Sequence, residues 1–348
     1  MRRPSKKIKV GNIYIGGDSP ISVQSMLNAP SHNTQENIHQ ALELEKFGCD
    51  IIRISVPTKE SVSNIYELKK KIKVPIVADI HFNYKLALES ISAGADKIRI
   101  NPGNIGIEEN IKKVAQKCME SNIPIRVGIN SGSLEKKVLE KYGKVTPEAM
   151  CESALYNVKL LEKYNFDNII ISIKSSNPLN TVLAYRLISQ KCNYPLHVGI
   201  TESGTETLGS IKSFATIGSL LIDGIGDTIR VSLTAEPKKE IAAGINLLKS
   251  LNLYRSGIEF ISCPTCGRTR IDIIKIANDI EKFLAEYKKN IKVAVMGCVV
   301  NGPGEAKDAD IGIAGGNGIG IIFKKGEIIK KVKEEELVKQ LIKEIEKM

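Results

Sequence analysis

The sequence predicts an α/β protein, a (β/α)8 TIM barrel followed by a small α+β domain. Three observations carry that prediction. Eight short apolar runs recur between residue 20 and about residue 235, a helical pattern follows each, and the rhythm stops around Leu253–Gly257. The runs are Ile21–Met26, Ile51–Val56, Val74–Ile80, Lys97–Asn101, Ile123–Ile129, Asn168–Lys174, Leu196–Thr201 and Asp227–Leu233. Each is β-branched and nearly continuous in apolar character, as expected of strands buried on both faces of a parallel sheet. Eight strand–helix units are the number that closes a barrel, with a doubly wound open sheet as the alternative, since the pattern alone does not give strand order.

The helices between them carry their own signals. Thr34–Phe47, Ser61–Lys71 and Pro147–Lys163 have helical periodicity, and the last has Thr146 as N-cap, Pro147 at its first position and Glu148 in its first turn. Gly48, Gly94 and Gly218 stand where helices should turn into the next strand. Ile8–Ile15, ahead of the first strand, suits a short hairpin plugging the barrel bottom. The predicted division is a barrel over 1–253, binding substrate, and an α+β domain over 254–348. The second part reads as a Cys-containing turn, helix Ile271–Tyr287, strand Lys292–Met296, a Cys-containing loop, two Gly-flanked strands and a Lys/Glu-rich helix. In that helix Leu337, Val338, Leu341, Ile342 and Ile345 form one apolar stripe, which packs on a sheet.

Composition narrows the function. The 348 residues are 42% hydrophobic and 26% charged, as in an ordinary globular protein. No stretch has the apolar length of a signal peptide or a spanning helix, so the expected location is the cytoplasm, with no membrane partner. The net charge is +11, yet there is no Trp and only 5% of residues are aromatic. Without aromatic residues among the basic runs there is no base-stacking platform, and nucleic acid is not the expected partner. Four of the seven cysteines, Cys49, Cys118, Cys151 and Cys192, lie singly and read as small apolar side chains.

The other three form a pattern. Cys263-Pro-Thr-Cys266-Gly-Arg is a C-x2-C knuckle, and Cys298 follows 32 positions after Cys266 in Met296-Gly-Cys298-Val-Val-Asn301-Gly-Pro-Gly-Glu305. A helix–strand return brings Cys298 back beside the knuckle, while Gly297, Gly302 and Gly304 let backbone crowd a bulky inorganic group. Three thiolates are one short of a closed zinc site, and none of the four His follows Cys266. Glu305 is the nearest carboxylate for a weaker, exchangeable fourth ligand. An iron–sulfur cluster with one open iron is the preferred reading; a zinc site completed by water or a borrowed His is the alternative.

A barrel places its chemistry at the C-terminal ends of its strands. Those ends read Gln24, Arg53, Asp79 with His81, Arg99 with Asn101, Arg126 with Asn130, Lys174, Glu202, and Arg230 with Ser232. Five of the eight strands deliver a cation, and the arginines sit inside apolar runs where a charge needs an anionic partner. Pairing with Asp79 or Glu202 is expected for some of them. The remainder call for a phosphorylated substrate, most simply a diphosphate. The Asn101–Gly106 turn offers further backbone N–H donors. Glu202, a carboxylate on strand seven among cations, is either an anchor for an Arg or a general acid/base. Gly315–Gly320 fails the dinucleotide fingerprint and reads as a strand turn.

These motifs, with Val23-Gln-Ser-Met, Ala78-Asp-Ile-His-Phe, Arg99-Ile-Asn-Pro-Gly-Asn, Arg126-Val-Gly-Ile-Asn-Ser-Gly and Gly199-Ile-Thr-Glu-Ser-Gly, resemble the bacterial 4-hydroxy-3-methylbut-2-enyl diphosphate synthases of the methylerythritol phosphate route. The similarity spans nearly the whole chain. It implies an oxidoreductase that opens the ring of 2-C-methyl-D-erythritol 2,4-cyclodiphosphate by two one-electron transfers through one [4Fe-4S] cluster per chain. It further implies Cys263, Cys266 and Cys298 on three irons and Glu305 on the fourth. Arg53, Arg99, Arg126, Asn130, Lys174, Arg230 and Ser232, with His81 beside them, would hold the substrate, and Glu202 would assist protonation. A flavodoxin or ferredoxin would donate electrons. The family is a homodimer in which one subunit's cluster domain caps its partner's barrel. Outside that resemblance, a redox-inactive barrel transferase or phosphohydrolase like dihydropteroate synthase, with a zinc-stapled second domain, is the rival reading.

Overall fold

The computed structural model describes residues 2–254, 258–285, 287, 290–298 and 306–348. The chain divides into two compact units, Met1–Leu253 and Tyr254–Met348. The first opens with an antiparallel hairpin, β1 (Ile8–Val10) and β2 (Ile13–Ile15), turned by Gly11 at positive φ. Eight parallel strands follow: β3 (Ser22–Met26), β4 (Ile51–Ser55), β5 (Ile76–Asp79), β6 (Lys97–Ile100), β7 (Ile125–Asn130), β8 (Ile169–Lys174), β9 (His197–Gly199) and β10 (Thr228–Arg230). Each pairs with its neighbour in sequence, and β10 returns to β3. A parallel bridge between Ile171 and Leu196 completes the ring at β8 and β9. This is the (β/α)8 barrel that the rhythm of the sequence predicts.

The connecting helices are α1 (Thr34–Lys46), α2 (Glu60–Lys69), α3 (Tyr84–Ser92), α4 (Glu108–Glu120), a short α5 (Lys136–Tyr142), α6 (Pro147–Glu162), α7 (Pro178–Ser189), α8 (Glu206–Ile222) and α9 (Pro237–Ser250). Their starts follow capping chemistry. The Thr146 hydroxyl accepts from the Ala149 N–H ahead of Pro147, and Asn33, Asn83 and Asn177 cap α1, α3 and α7 in the same way. Gly48 and Gly94 take the left-handed backbone after α1 and α3. Gly218 does not end a helix: it lies buried within α8, and Gly224 and Gly226 make the positive-φ turns into β10.

The hairpin seals one end of the barrel. Ile8, Val10 and Ile15 pack as a buried cluster with Ile51, Val77 and Ile170, from the early positions of β4, β5 and β8. The N-terminal end is thus plugged with hydrocarbon, and the open mouth is at the C-terminal ends of the strands.

The second unit is a five-stranded sheet in the order of the chain: β11 (Glu259–Ser262), β12 (Lys292–Met296), β13 (Ile311–Ala314), β14 (Ile319–Lys324) and β15 (Glu327–Lys333). The first three run parallel and the last two reverse through tight turns. The sheet has two more strands than expected. β11 is the short Glu259–Ser262 run before the knuckle, and β15 is an exposed Lys-rich edge strand with little apolar signal. Helices α10 (Ile273–Ala285) and α11 (Leu337–Glu346) cover one face, where Ile280, Leu337, Leu341 and Ile345 meet Val293, Val295, Ile311, Ile313 and Ile322. Phe323 lies on the other face over Gly312, where a Cβ would stand 2.4 Å from its ring. The Gly315–Gly320 segment is the turn from β13 to β14, with Gly318 at positive φ.

Replacing the fully buried Ile15 by Ala should lower the unfolding free energy of the barrel by about 2–4 kcal/mol, read as a shift of its urea midpoint. An unchanged midpoint would mean that the hairpin is not part of the core.

Candidate functional site

Strand alternation aims one set of side chains into the barrel, and the charged members collect near its mouth. Asp79, the last residue of β5, is fully buried and is the hub. Its carboxylate accepts from Arg53 of β4, from Arg99 Nη1 of β6 at 3.2 Å and from His81 Nε2 at 3.3 Å. Burial alone would push the Asp79 carboxyl up, but Arg53, His81 and Arg99 outweigh it and hold it well below the usual carboxylate range. Arg99 also donates to the Gly128 carbonyl at 3.4 Å, and a Cβ on Gly128 would meet Arg99 Nε at 2.4 Å. That close approach is why β7 carries glycine there.

A second pair stands across the ring. Arg230, ending β10, meets Glu240 of α9 at 3.2 Å, and Glu240 also accepts from Ser25 Oγ at 2.9 Å and the Leu233 N–H at 3.0 Å. Among the described residues neither Arg126 nor Lys174 has such a carboxylate partner, and Lys97 beneath them has none either. Arg126 is 1% exposed, and its Nε and Nη1 lack hydrogen-bond partners. Lys174, 7% exposed at the end of β8, makes no ion pair among the described residues; a Cβ on Gly199 would stand 3.0 Å from its Nζ. Burial, then Arg230 and Arg126, push the Lys174 amine well below its ordinary value. Asn130 and Ser232 are half-buried at the ends of β7 and after β10.

Two expectations need correction. Glu202 is exposed on the loop after β9, in a left-handed backbone (φ +53°), and pairs with no arginine among the described residues. The anchoring carboxylate is Glu240. In the Asn101–Gly106 turn three of the N–H donors are already engaged. The Gly103 N–H is shared by Asn101 Oδ1 and Asn157 Oδ1, and those of Asn104 and Ile105 close the turn itself.

The cysteines sit at the C-terminal ends of the parallel strands of the second sheet. Cys263 follows β11, and the Gly297 N–H, after β12, donates to its Sγ at 3.1 Å. Cys298 is the next residue and is buried. Cys266 is exposed, with its N–H on Thr269 Oγ1 at 3.1 Å. The Arg268 backbone and guanidinium hold its thiol below the ordinary range, which favours the thiolate. The three cysteines follow the C-terminal ends of two neighbouring parallel strands, and among the described residues no three His, Cys, Asp or Glu side chains are gathered closely enough to hold a metal ion. Thiols with a backbone N–H on one sulfur are the donor chemistry an iron–sulfur group uses. Glu305, with Gly302 and Gly304, lies outside the described residues.

Comparison with known proteins gives the family. The GcpE TIM-barrel domain matches residues 5–245 and the GcpE protein C-terminal domain matches residues 259–347. The chain belongs to the GcpE family. It is 59% identical to the 4-hydroxy-3-methylbut-2-en-1-yl diphosphate synthase (flavodoxin) of Caldanaerobacter subterraneus subsp. tengcongensis, over 100% of this chain and 98% of that protein. It is 58% identical to the protein of the same name from Clostridium acetobutylicum, over 100% and 99%. Among solved structures, dihydropteroate synthase from Xanthomonas albilineans aligns with 71% of this chain and 98% of its own (TM-score 0.51, 12% identity). The Burkholderia cenocepacia enzyme aligns likewise (TM-score 0.51, 15% identity). At that identity the likeness is one of barrel fold alone.

In this GcpE barrel, sequence reasoning missed three charged or polar groups. Glu240 reads as an ordinary acidic residue in the first turn of a helix after Pro237. Lys97 opens an apolar strand run two places before Arg99, and that i, i+2 spacing was the available signal. His197 is fully buried at the start of β9 with both ring nitrogens unpartnered.

Asp79→Asn leaves two buried guanidinium groups without their counter-charge and should cost about 3 kcal/mol near neutral pH. The contribution of a carboxyl held low in the fold is present above about pH 4 and lost as pH falls through its folded value, so the two proteins should converge in acid. Urea midpoints measured at neutral and acid pH check both parts; equal midpoints near neutrality would remove Asp79 as the hub.

Proposed function

We propose that this chain catalyses the reductive ring opening of 2-C-methyl-D-erythritol 2,4-cyclodiphosphate to 4-hydroxy-3-methylbut-2-enyl diphosphate, with a flavodoxin as electron donor. One observation carries the substrate class. Arg53, Arg99, Arg126, Arg230, Lys97 and Lys174 project from the barrel strands, and the two carboxylates that meet any of them, Asp79 of β5 and Glu240 of α9, are already engaged. A cyclic diphosphate supplies the missing negative charge, and guanidinium forks match its oxygens. The full-length relatives named as flavodoxin-dependent synthases support the redox chemistry.

In this reading Arg126 and Lys174, which have no carboxylate partner among the described residues, grip the diphosphate first. Arg53, Arg99 and Arg230 are already aligned by Asp79 and Glu240 and turn their remaining donors to it. Asn130 and Ser232 add neutral hydrogen bonds at the rim. Cys263, Cys266 and Cys298 would hold three irons of a [4Fe-4S] cluster, with Glu305 on the fourth, and the cluster when bound supplies two electrons one at a time. Conversion of the cyclic diphosphate to the allylic diphosphate takes two electrons and two protons and releases one water. Glu202, exposed and without an ion pair among the described residues, would move a proton to the leaving oxygen or the reacting carbon; His81, hydrogen-bonded to Asp79, would be a further hydrogen-bonding partner of the substrate. The enzyme acts as a homodimer in the cytoplasm.

Protein purified without oxygen should contain iron and acid-labile sulfide in matching amounts and convert the cyclodiphosphate when given reduced flavodoxin. Stoichiometric zinc without sulfide, persisting after anaerobic reconstitution, would contradict the reading. Glu202→Ala should keep the visible absorption of the cluster and lose about 100-fold or more in kcat; undiminished turnover would remove its proposed role. Cys298→Ser should lose the absorption while the barrel stays folded, and a full cluster signal in that variant would refute the ligand assignment.

A further inference from the structure

The grip described above uses the mouth of the barrel and leaves unused the polar layer beneath it. Lys97 lies in that layer. It stands two residues before Arg99 on β6, so both side chains project from the same face of the strand. Its register partner on β5 is Val77, which packs on the hairpin plug, so Lys97 sits between the apolar floor and the Asp79–Arg99 pair. The side chain is 0% exposed, and Nζ has no hydrogen-bond partner among the described residues.

Arg126 on β7 and Arg53 on β4 are the cations acting on it, the neighbouring Asp96 is the anion that opposes them, and Val77 on β5 and the hairpin isoleucines are apolar. On β9, His197 feels Lys97 in turn, and both its ring nitrogens lack partners; the Gln24 amide of β3 is likewise buried and unpartnered. The adjacent Asp96 is occupied with Lys69 at 2.8 Å and the Ile76 N–H at 2.8 Å. Asp79 and Glu240 are spent on arginines. Guanidinium groups keep their proton almost unconditionally, whereas a buried amine sheds its own. Burial, then Arg126 and Arg53, accordingly push Lys97 well below its ordinary value.

We propose that Lys97 is a positioning residue for the diphosphate, a neutral amine in the free enzyme that takes up a proton from solvent as the anion enters. The proton goes onto the Nζ lone pair, and the floor beneath the bound anion becomes cationic only when there is negative charge to meet it. The ligand class rests on the function proposed above. Each phosphorus of a cyclodiphosphate bears a single, strongly acidic hydroxyl, so the ligand does not titrate near neutrality and the uptake belongs to the protein.

The test is calorimetric titration of the anaerobic holoenzyme, without reductant, by the cyclodiphosphate at about pH 8 in buffers of different ionisation enthalpy. The dependence of heat on buffer counts protons taken up. The unsubstituted enzyme should show uptake, and Lys97→Met should show roughly one proton fewer per bound ligand with about tenfold weaker binding. Lys97→Arg carries a permanent charge; it should lose the same proton whether or not the methionine variant folds. Lys174 at the mouth contributes its own uptake, which both variants retain. Binding without proton uptake, or equal uptake in the enzyme and either variant, would overturn the proposal. No binding of the cyclodiphosphate at all would overturn the diphosphate reading, and this proposal with it.

Discussion

The structure turns on an imbalance of charge inside the barrel. A (β/α)8 interior is ordinarily filled by layers of branched apolar side chains. Here only the floor is so filled, by the hairpin plug with Ile51, Val77 and Ile170. Above it, arginines and lysines enter from β4, β6, β7, β8 and β10, and two carboxylates meet them. Burying an unpaired charge is costly, so a fold keeps such an arrangement only where something compensates it. An anionic ligand does so directly, and that requirement links the fold to its substrate class.

The local chemistry follows from how the imbalance is managed. Asp79 locks Arg53 and Arg99 in place, and Glu240 locks Arg230, so their remaining donors are preorganised. Gly128 is a glycine because the Arg99 side chain occupies the space a Cβ would take, and Gly199 because a Cβ there would stand 2.6 Å from the Arg230 carbonyl oxygen. The lysines are the adjustable members of the set, since an amine can give up its proton where a guanidinium cannot. In the second unit the same economy applies to sulfur: the parallel strands β11 and β12 end at Cys263 and Gly297–Cys298, and one N–H already faces one Sγ.

Much of this was legible in the sequence because it is written in local periodicity. The eight barrel strands announce themselves as short β-branched runs, and Thr146-Pro147 and Gly48 mark helix ends by their own chemistry. Arginines inside apolar runs can only be buried, which is why the mouth residues stood out. What failed depended on direction in space. Glu202 and Glu240 look alike in the sequence, but one is exposed on a left-handed loop and the other is buried on α9 against Arg230, Ser25 and the Leu233 N–H. Lys97 was hidden by standing at the start of a strand rather than its end. Gly218 has the look of a helix stop yet serves the packing of α8, and β15 lacks the apolar pattern that marks a strand because it is an exposed edge. In the turn Asn101–Gly106 the N–H groups of Gly103, Asn104 and Ile105 find acceptors within the turn or on Asn157, which the sequence could not show.

The most direct test of the charge-compensation account is the thermal unfolding of the barrel as a function of cyclodiphosphate concentration, measured at low and at high ionic strength. If the anion supplies the missing counter-charge, the midpoint should rise continuously with ligand, by about 2.7 kcal/mol of added stability at a hundredfold excess over Kd, and the apparent Kd should weaken with salt. A midpoint indifferent to the ligand would contradict the account, and the buried cations would need a different explanation.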